Sequence, residues 1–304
     1  MNRKGRLEIF SGDFIPVIMG PTASGKSSLA MEIALASGGE IITADSMQLY
    51  RGLDIGTAKA SPEDRARVPH HLIDRLDIQE RSDVFRYCRD AEEAVGQIRA
   101  RGKRPVMEGG SGLYLHAFLY GLDPLPADES LRKKLDEKFD SPEHFPELQA
   151  IMAAESPDDF ARFGNHRRKL IRAYEVKRLS GHQITELQTN TARRPPRPGY
   201  RQFLLVWDRP VLRDRIFLRT KQMLASGWIE ETEKMLALGL RETPTAWQAL
   251  GYSRIAEYLE GRLSFRELTE KIAVATCQYA RRQMTWFRNR HPDAVPVPMP
   301  LPED

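Results

Sequence analysis

Ile15-Pro16-Val17-Ile18-Met19-Gly20-Pro21-Thr22-Ala23-Ser24-Gly25-Lys26-Ser27 decides the fold. A short apolar run stops at Gly20, and residues 27–36 then have the composition of a helix, so strand, turn and helix follow one another. The turn, Gly20, Pro21, Thr22, Ala23, Ser24, Gly25, Lys26 and Ser27, fits G-x-x-x-x-G-K-[ST], the phosphate-binding loop, in the context that motif requires. Its glycines let successive backbone N–H groups turn toward one anion, and the helix N-terminus adds partial positive charge. Lys26 supplies a full positive charge, and the Ser27 hydroxyl suits Mg²⁺. Which phosphate ester is held stays open, because NTP hydrolysis, kinase chemistry and pyrophosphate departure present similar oxygens.

Outward from the loop, a second run, Glu40-Ile41-Ile42-Thr43-Ala44, ends at Asp45. A third, Pro105-Val106-Met107, ends at Glu108-Gly109-Gly110, with a helical stretch at residues 85–101 between them. β-Branched strands alternating with helices predict an α/β fold: a P-loop NTPase-like parallel sheet flanked by helices, with ligands at the carboxyl ends of the strands. Asp45 and Asp208, each ending an apolar run, are candidates for the carboxylate that P-loop enzymes place on Mg²⁺. Strand signals vanish after Pro126, and residues 129–188 look helical and charged. The expected organisation is a core of residues 1–122 and 192–304 carrying a helical insertion at 123–191. Arg193-Arg194-Pro195-Pro196-Arg197-Pro198 cannot be helical and reads as the exit linker. Residues 203–207 restore a strand, helices are predicted at 213–238 and 267–287, and the Pro-rich end after His291 is expected to be a loose tail.

The 304 residues are 41% hydrophobic and 29% charged, a soluble globular composition. No apolar run approaches the roughly 18 residues that span a bilayer, so no membrane segment is expected. Residues 1–6 are basic but lack the apolar stretch of a secretory signal, which predicts a cytoplasmic protein. Cys88 and Cys277 form no zinc or disulfide framework and read as packing residues. Charge is uneven: residues 160–221 hold 16 Lys/Arg against 4 Asp/Glu. A polyanionic partner fits that excess, and charge alone fits a solvated basic face equally well.

The segment Asp45-Ser46-Met47-Gln48-Leu49-Tyr50-Arg51-Gly52-Leu53-Asp54-Ile55-Gly56-Thr57-Ala58-Lys59, together with the phosphate loop, closely resembles the tRNA dimethylallyltransferases. Further matches run along almost the whole chain at Pro69-His70-His71-Leu72-Ile73-Asp74, Gly109-Gly110-Ser111-Gly112-Leu113-Tyr114, Arg172-Ala173-Tyr174-Glu175-Val176, Gly251-Tyr252 and Arg282-Gln283-Met284-Thr285-Trp286. The resemblance is to the bacterial type, so no C-terminal zinc finger is expected. It implies transfer of a dimethylallyl group from dimethylallyl diphosphate to N6 of the adenosine 3′ to the anticodon, releasing pyrophosphate. It also implies a tRNA anticodon stem-loop as partner, and a monomer is expected. Asp45 is carried over as general base, residues 22–27 as the diphosphate cradle, and Arg219 as an arginine reaching the same diphosphate. The tRNA contacts implied are Asp45, Ser46, Met47, Gln48, Ser111, Arg132, Arg168, Lys169, Leu170, Ile171, Arg172, Gln248, Gly251, Tyr252, Ser253, Arg281, Arg282, Gln283, Trp286 and Arg288.

These roles suit the residues. Breaking an allylic C–O bond puts charge on the diphosphate, which backbone donors, Lys26, Arg219 and Mg²⁺ would stabilise. Once the adenine nitrogen begins to bond carbon, its proton becomes acidic enough for a carboxylate such as Asp45. Arg215 and Arg219, four apart, share one helix face toward a common anion. The last helix interleaves Arg281, Arg282 and Arg288 with Tyr279, Trp286 and Phe287, a mixture that suits phosphates and stacked bases or, as simply, a core. The basic insertion is expected to clasp the anticodon stem.

Some positions depart from the family pattern: His166, Lys169, Ser253-Arg254, Cys277 and Ser111. Glu108 stands where an apolar residue is usual, either as a metal ligand or as a solvated acid. The adjacent His70 and His71 point opposite ways in an extended chain, a poor ligand geometry. Competing functions are an isopentenyltransferase acting on free adenine nucleotides, a P-loop small-molecule kinase, and a non-catalytic RNA-binding protein.

Overall fold

The computed structural model describes residues 7–188, 194–243 and 245–301. The basic hexapeptide at residues 1–6, Arg193 of the expected linker and the expected boundary at 191/192 lie outside them. Six strands, β1 (Ile15–Met19), β2 (Glu40–Ala44), β3 (His70–His71), β4 (Pro105–Gly109), β5 (Tyr200–Val206) and β6 (Val295–Pro298), form one sheet. Their order is β3-β2-β4-β1-β5-β6, and every pairing is parallel. All residues of β1, β2 and β4 are buried, as continuous apolar strands covered on both faces should be.

Helices α1 (Lys26–Ser37), α2 (Pro62–Arg67), α3 (Val84–Ala100) and α4 (Gly112–Tyr120) follow the first strands. Helix α1 lays Leu29, Ala30, Ile33 and Ala34 into a cluster with Phe10, Ile18, Val106 and Phe203. Phe10 meets Phe203 edge-on, with ring centroids 4.7 Å apart. Successive strands run to one side of β1 and then to the other. The crevice beyond its carboxyl end is therefore a topological switch point, where sheets of this kind bind ligands.

Contacts divide the chain into two compact units: Met1–Leu119 with Arg197–Asp304, and Tyr120–Pro196. The second contains α5 (Glu129–Phe139), α6 (Phe145–Glu155), α7 (Pro157–Phe163), α8 (Arg167–Ser180) and α9 (Ile184–Leu187) around Leu135, Phe139, Leu148, Met152, Leu170, Ile171 and Tyr174. Its buried acids each have partners. Asp159 accepts from the Ile184 and Thr185 N–H groups at 2.8 and 2.9 Å, capping α9. Glu175, 1% exposed, takes Arg132, Arg172 at 2.7 Å and the Asp128 N–H at 3.0 Å.

After β5 come α10 (Arg209–Ala225), α11 (Trp228–Ala237), α12 (Tyr252–Leu259) and α13 (Phe265–Arg290). The single helix expected at 213–238 is broken by Gly227, whose φ of +99° only a residue without Cβ adopts cheaply. The expected loose tail is also corrected, because residues 295–298 form β6 on the edge of the sheet. Val295 and Val297 pack against the α1 cluster. Pro296 and Pro298 are tolerated because an edge strand needs donors on one side only.

Candidate active site

The phosphate loop leaves β1 and enters α1 with φ at +61° for Ala23 and +86° for Gly25. An alanine in the left-handed region costs about 1 kcal/mol, so the surroundings must hold it. Three side chains do. Arg215 Nε donates to the Ala23 carbonyl at 3.0 Å, Trp207 Nε1 donates to the Ser24 carbonyl at 3.0 Å, and Gln283 Oε1 accepts the Thr22 N–H at 2.9 Å. Arg215 also lies over the Trp207 ring, 4.3 Å from its centroid. Arg215 and Arg219 both line the cleft onto which the loop opens, as their shared helix face predicts; Arg215 also braces the loop with its Nε, and Arg219 is the more enclosed of the two.

The loop opens on a cleft of about 390 Å³ whose lining includes Thr22, Lys26, Ser27, Asp45, Glu108 and Arg219. A second cavity of about 640 Å³ includes Ser46, Met47, Trp247, Gln248, Gly251, Ser253 and Arg282. The two share Thr22, Ala23, Asp45, Thr57, Arg219 and Tyr279 as a common wall. Asp45 follows β2 directly, and its Oδ1 accepts the N–H groups of Met47 at 2.9 Å and Gln48 at 3.4 Å. All its hydrogen bonds among the described residues fall on that oxygen. Ser111 Oγ accepts the Ser46 N–H at 3.0 Å, which ties the β2 turn to the β4 turn.

Charge in the cleft is concentrated and poorly solvated. Burial pushes Lys26 down to about 8, with Arg219 adding to the shift and Glu108 and Asp45 opposing it. Burial likewise pushes Glu108 up to about 7, against the pull of Lys26. The solvated alternative for Glu108 is therefore overturned: it is 5% exposed, and Ser27 Oγ donates to its Oε2 at 3.4 Å. Desolvation also lowers Arg219, although a guanidinium stays protonated throughout. Asp208, the other sequence candidate, is the N-cap residue of α10 and is not among the residues lining either cavity.

The segment after Asp45 is fixed largely by Glu231, which the sequence did not single out. Glu231 Oε2 accepts the N–H groups of Asp54 and Ile55 at 2.9 and 2.7 Å; its Oε1 accepts Gly56 N–H at 3.0 Å and the Tyr252 hydroxyl at 2.6 Å. Lys59, nearly fully buried, reaches Asp54 at 2.7 Å and Asp74 at 2.6 Å. Gln48 Nε2 donates to the Thr57 carbonyl at 3.0 Å. Thr57 and Ala58 thereby keep their places in the cleft wall. Glu231→Gln should cost ~1–3 kcal/mol, because it turns an amide donor toward backbone N–H groups. A urea midpoint equal to wild type would contradict that.

The sequence-predicted RNA contacts differ in exposure. Arg168, Lys169, Gln248, Arg281, Arg282 and Arg288 are exposed. Leu170 and Ile171 are corrected: both are fully buried in the second unit, so neither side chain can touch RNA. Tyr252 is fully buried with its hydroxyl on Glu231, and Gln283 spends its amide on Thr22 N–H and, at 2.8 Å, the Gly110 carbonyl. Arg132 and Arg172 are drawn to Glu175, and Trp286 is half-buried against Gly112. His71 pairs with Glu40 at 2.7 Å, and His70 Nδ1 meets the Val68 carbonyl at 2.7 Å.

A phosphate loop at the switch point, facing a carboxylate and an enclosed arginine across one cleft, defines a P-loop group-transfer enzyme. A family model described as IPP transferase matches residues 48–290. A tRNA dimethylallyltransferase of Kocuria rhizophila is 42% identical over 89% of this chain and 85% of its own. One from Thermus thermophilus is 40% identical over 93% and 92%. A solved tRNA isopentenylpyrophosphate transferase of Bacillus halodurans superposes with a TM-score of 0.67 at 34% identity, covering 95% of this chain and 90% of that one. The chain belongs to the IPP transferase family, the prenyltransferases that include the tRNA dimethylallyltransferases.

Proposed function

We propose that this enzyme transfers a dimethylallyl group from dimethylallyl diphosphate to N6 of the adenosine 3′ to the anticodon of tRNA, releasing pyrophosphate. The observation that carries the proposal is the common wall: Asp45 and Arg219 border both the phosphate-loop cleft and the second cavity. The diphosphate takes the loop side, and the adenine enters from the other. As the C1–O bond breaks, Lys26, Arg219 and backbone N–H groups within residues 23–27 receive the charge on the leaving pyrophosphate. The N6–C1 bond forms, and Asp45 accepts the N6 proton, so the nucleic acid gains the prenyl group and loses one proton.

Mg²⁺ fits this site on donor chemistry: the Ser27 hydroxyl is a hard oxygen at the mouth of α1, with a carboxylate oxygen 3.4 Å away. Ser27 would hold the ion, which supplies further neutralisation of the leaving group. Arg168, Lys169, Arg281, Arg282 and Arg288, all exposed, suit phosphates of the anticodon stem-loop. A monomer working in the cytoplasm, where tRNA is modified, is part of the proposal. No helix among the described residues is long and apolar enough to cross a membrane.

Incubation with unmodified tRNA and dimethylallyl diphosphate, followed by nucleoside mass spectrometry, should yield prenylated adenosine. Product from AMP but not from tRNA would instead indicate the free-nucleotide isopentenyltransferase. ATP-dependent phosphorylation of a metabolite would indicate a kinase.

A further inference from the structure

We propose that Glu108 is a second oxygen ligand, beside the Ser27 hydroxyl, for the divalent cation that accompanies the diphosphate. The proposal rests on the prenyl-transfer function above and adds a ligand to it. Glu108 is the penultimate residue of β4, the strand hydrogen-bonded to β1, with Ile18 opposite it in register. Its carboxylate therefore rises beside the strand that feeds the phosphate loop. P-loop enzymes hold Mg²⁺ between the loop Ser/Thr and an acid of this kind. Here Ser27 Oγ and Glu108 Oε2 are already 3.4 Å apart.

Asp208 is absent from the lining of the cleft, and Asp45, which does line it, is the proposed proton acceptor on the wall shared with the second cavity, whereas Glu108 is the acid within hydrogen-bond distance of Ser27. Glu108, buried to 5% exposure, lies in the same lining as Lys26 and Arg219. Those two cations turn to the diphosphate when it binds, which leaves a buried carboxylate facing a polyanion. A buried charge in that position needs a cation of its own. A divalent ion shared with Ser27 and a phosphate oxygen provides it.

Mn²⁺ binding, read by electron paramagnetic resonance of the free ion with inorganic pyrophosphate as the probe, tests the assignment in the full-length protein. Glu108→Gln and Glu108→Val, the second restoring an apolar strand residue, should weaken Mn²⁺ binding by about 10–100-fold. Without metal, both should bind pyrophosphate more tightly than wild type, since the repelling charge is gone. Mn²⁺ affinity unchanged in both variants would overturn the proposal. Prenylated tRNA from the wild type tests the underlying function separately, so failure of one is not failure of the other.

Discussion

Asp45→Asn should lower kcat by roughly 10²–10⁴-fold, the range associated with losing a positioned general base. The substitution isolates the proton transfer. Oδ1 already accepts the Met47 and Gln48 N–H groups, and an amide oxygen can accept the same two bonds. The turn after β2 therefore survives, and with it the Ser46 to Ser111 link. What is lost is the carboxylate proposed to take the N6 proton. Filter binding of tRNA should stay near wild type, and single-turnover kinetics should show the slowed chemical step. A fully active Asp45→Asn enzyme would remove Asp45 as the base.

Lys26→Met is expected to reduce kcat by about 10²–10³-fold, comparable to losing one charge-stabilising donor in a closed site. Its ammonium donates to the Pro21 carbonyl at 2.8 Å and stands at the floor of the cleft with Glu108, Asp45 and Arg219 around it. In the free enzyme burial holds it near 8, so it is charged at pH 7 and loses its proton as pH rises through that value. The activity it supplies is thus present below about 8 and falls above it. kcat/KM, which reports the free enzyme, should decline on the alkaline side. The decline should disappear in Lys26→Met, whose residual rate has no ammonium left to titrate. An alkaline limb equally steep in both proteins would assign it to another group.

The sheet and the loop were legible in the sequence because their signals are local: short apolar runs, each ending at a turn, and a glycine spacing that permits one backbone shape. Asp45 was legible for the same reason, standing one residue beyond a strand end. Arg219 needed the family resemblance, since nothing in an Arg-rich helix distinguishes its position from that of Arg215. The structure separates them through Trp207 and the Ala23 carbonyl, contacts between residues distant in sequence.

The same limit explains the misplaced RNA contacts. Leu170 and Ile171 were carried over as part of a contiguous stretch, but a helix shows only some of its residues to solvent, and these two face inward. Several family motifs gain physical content only in three dimensions. Asp54, Lys59 and Asp74, from two separate motifs, make one ion cluster around the buried Lys59 ammonium. Gly251-Tyr252 brings a phenol to Glu231, which no motif contained. The loose tail was misjudged because proline was treated as a breaker, whereas alternate prolines are compatible with an edge strand.

That edge strand bears on solubility. A sheet ends in a row of unpaired donors and acceptors that another chain can extend, and aggregation commonly starts there. At one edge β3 is only two residues long, too short to template a partner. At the other, Pro296 and Pro298 withhold their missing N–H groups from any incoming strand, while Val295 and Val297 keep the edge attached. The Val-Pro-Val-Pro sequence thus closes the sheet against copies of itself, a safeguard for a protein whose surface must remain free for a large polyanion.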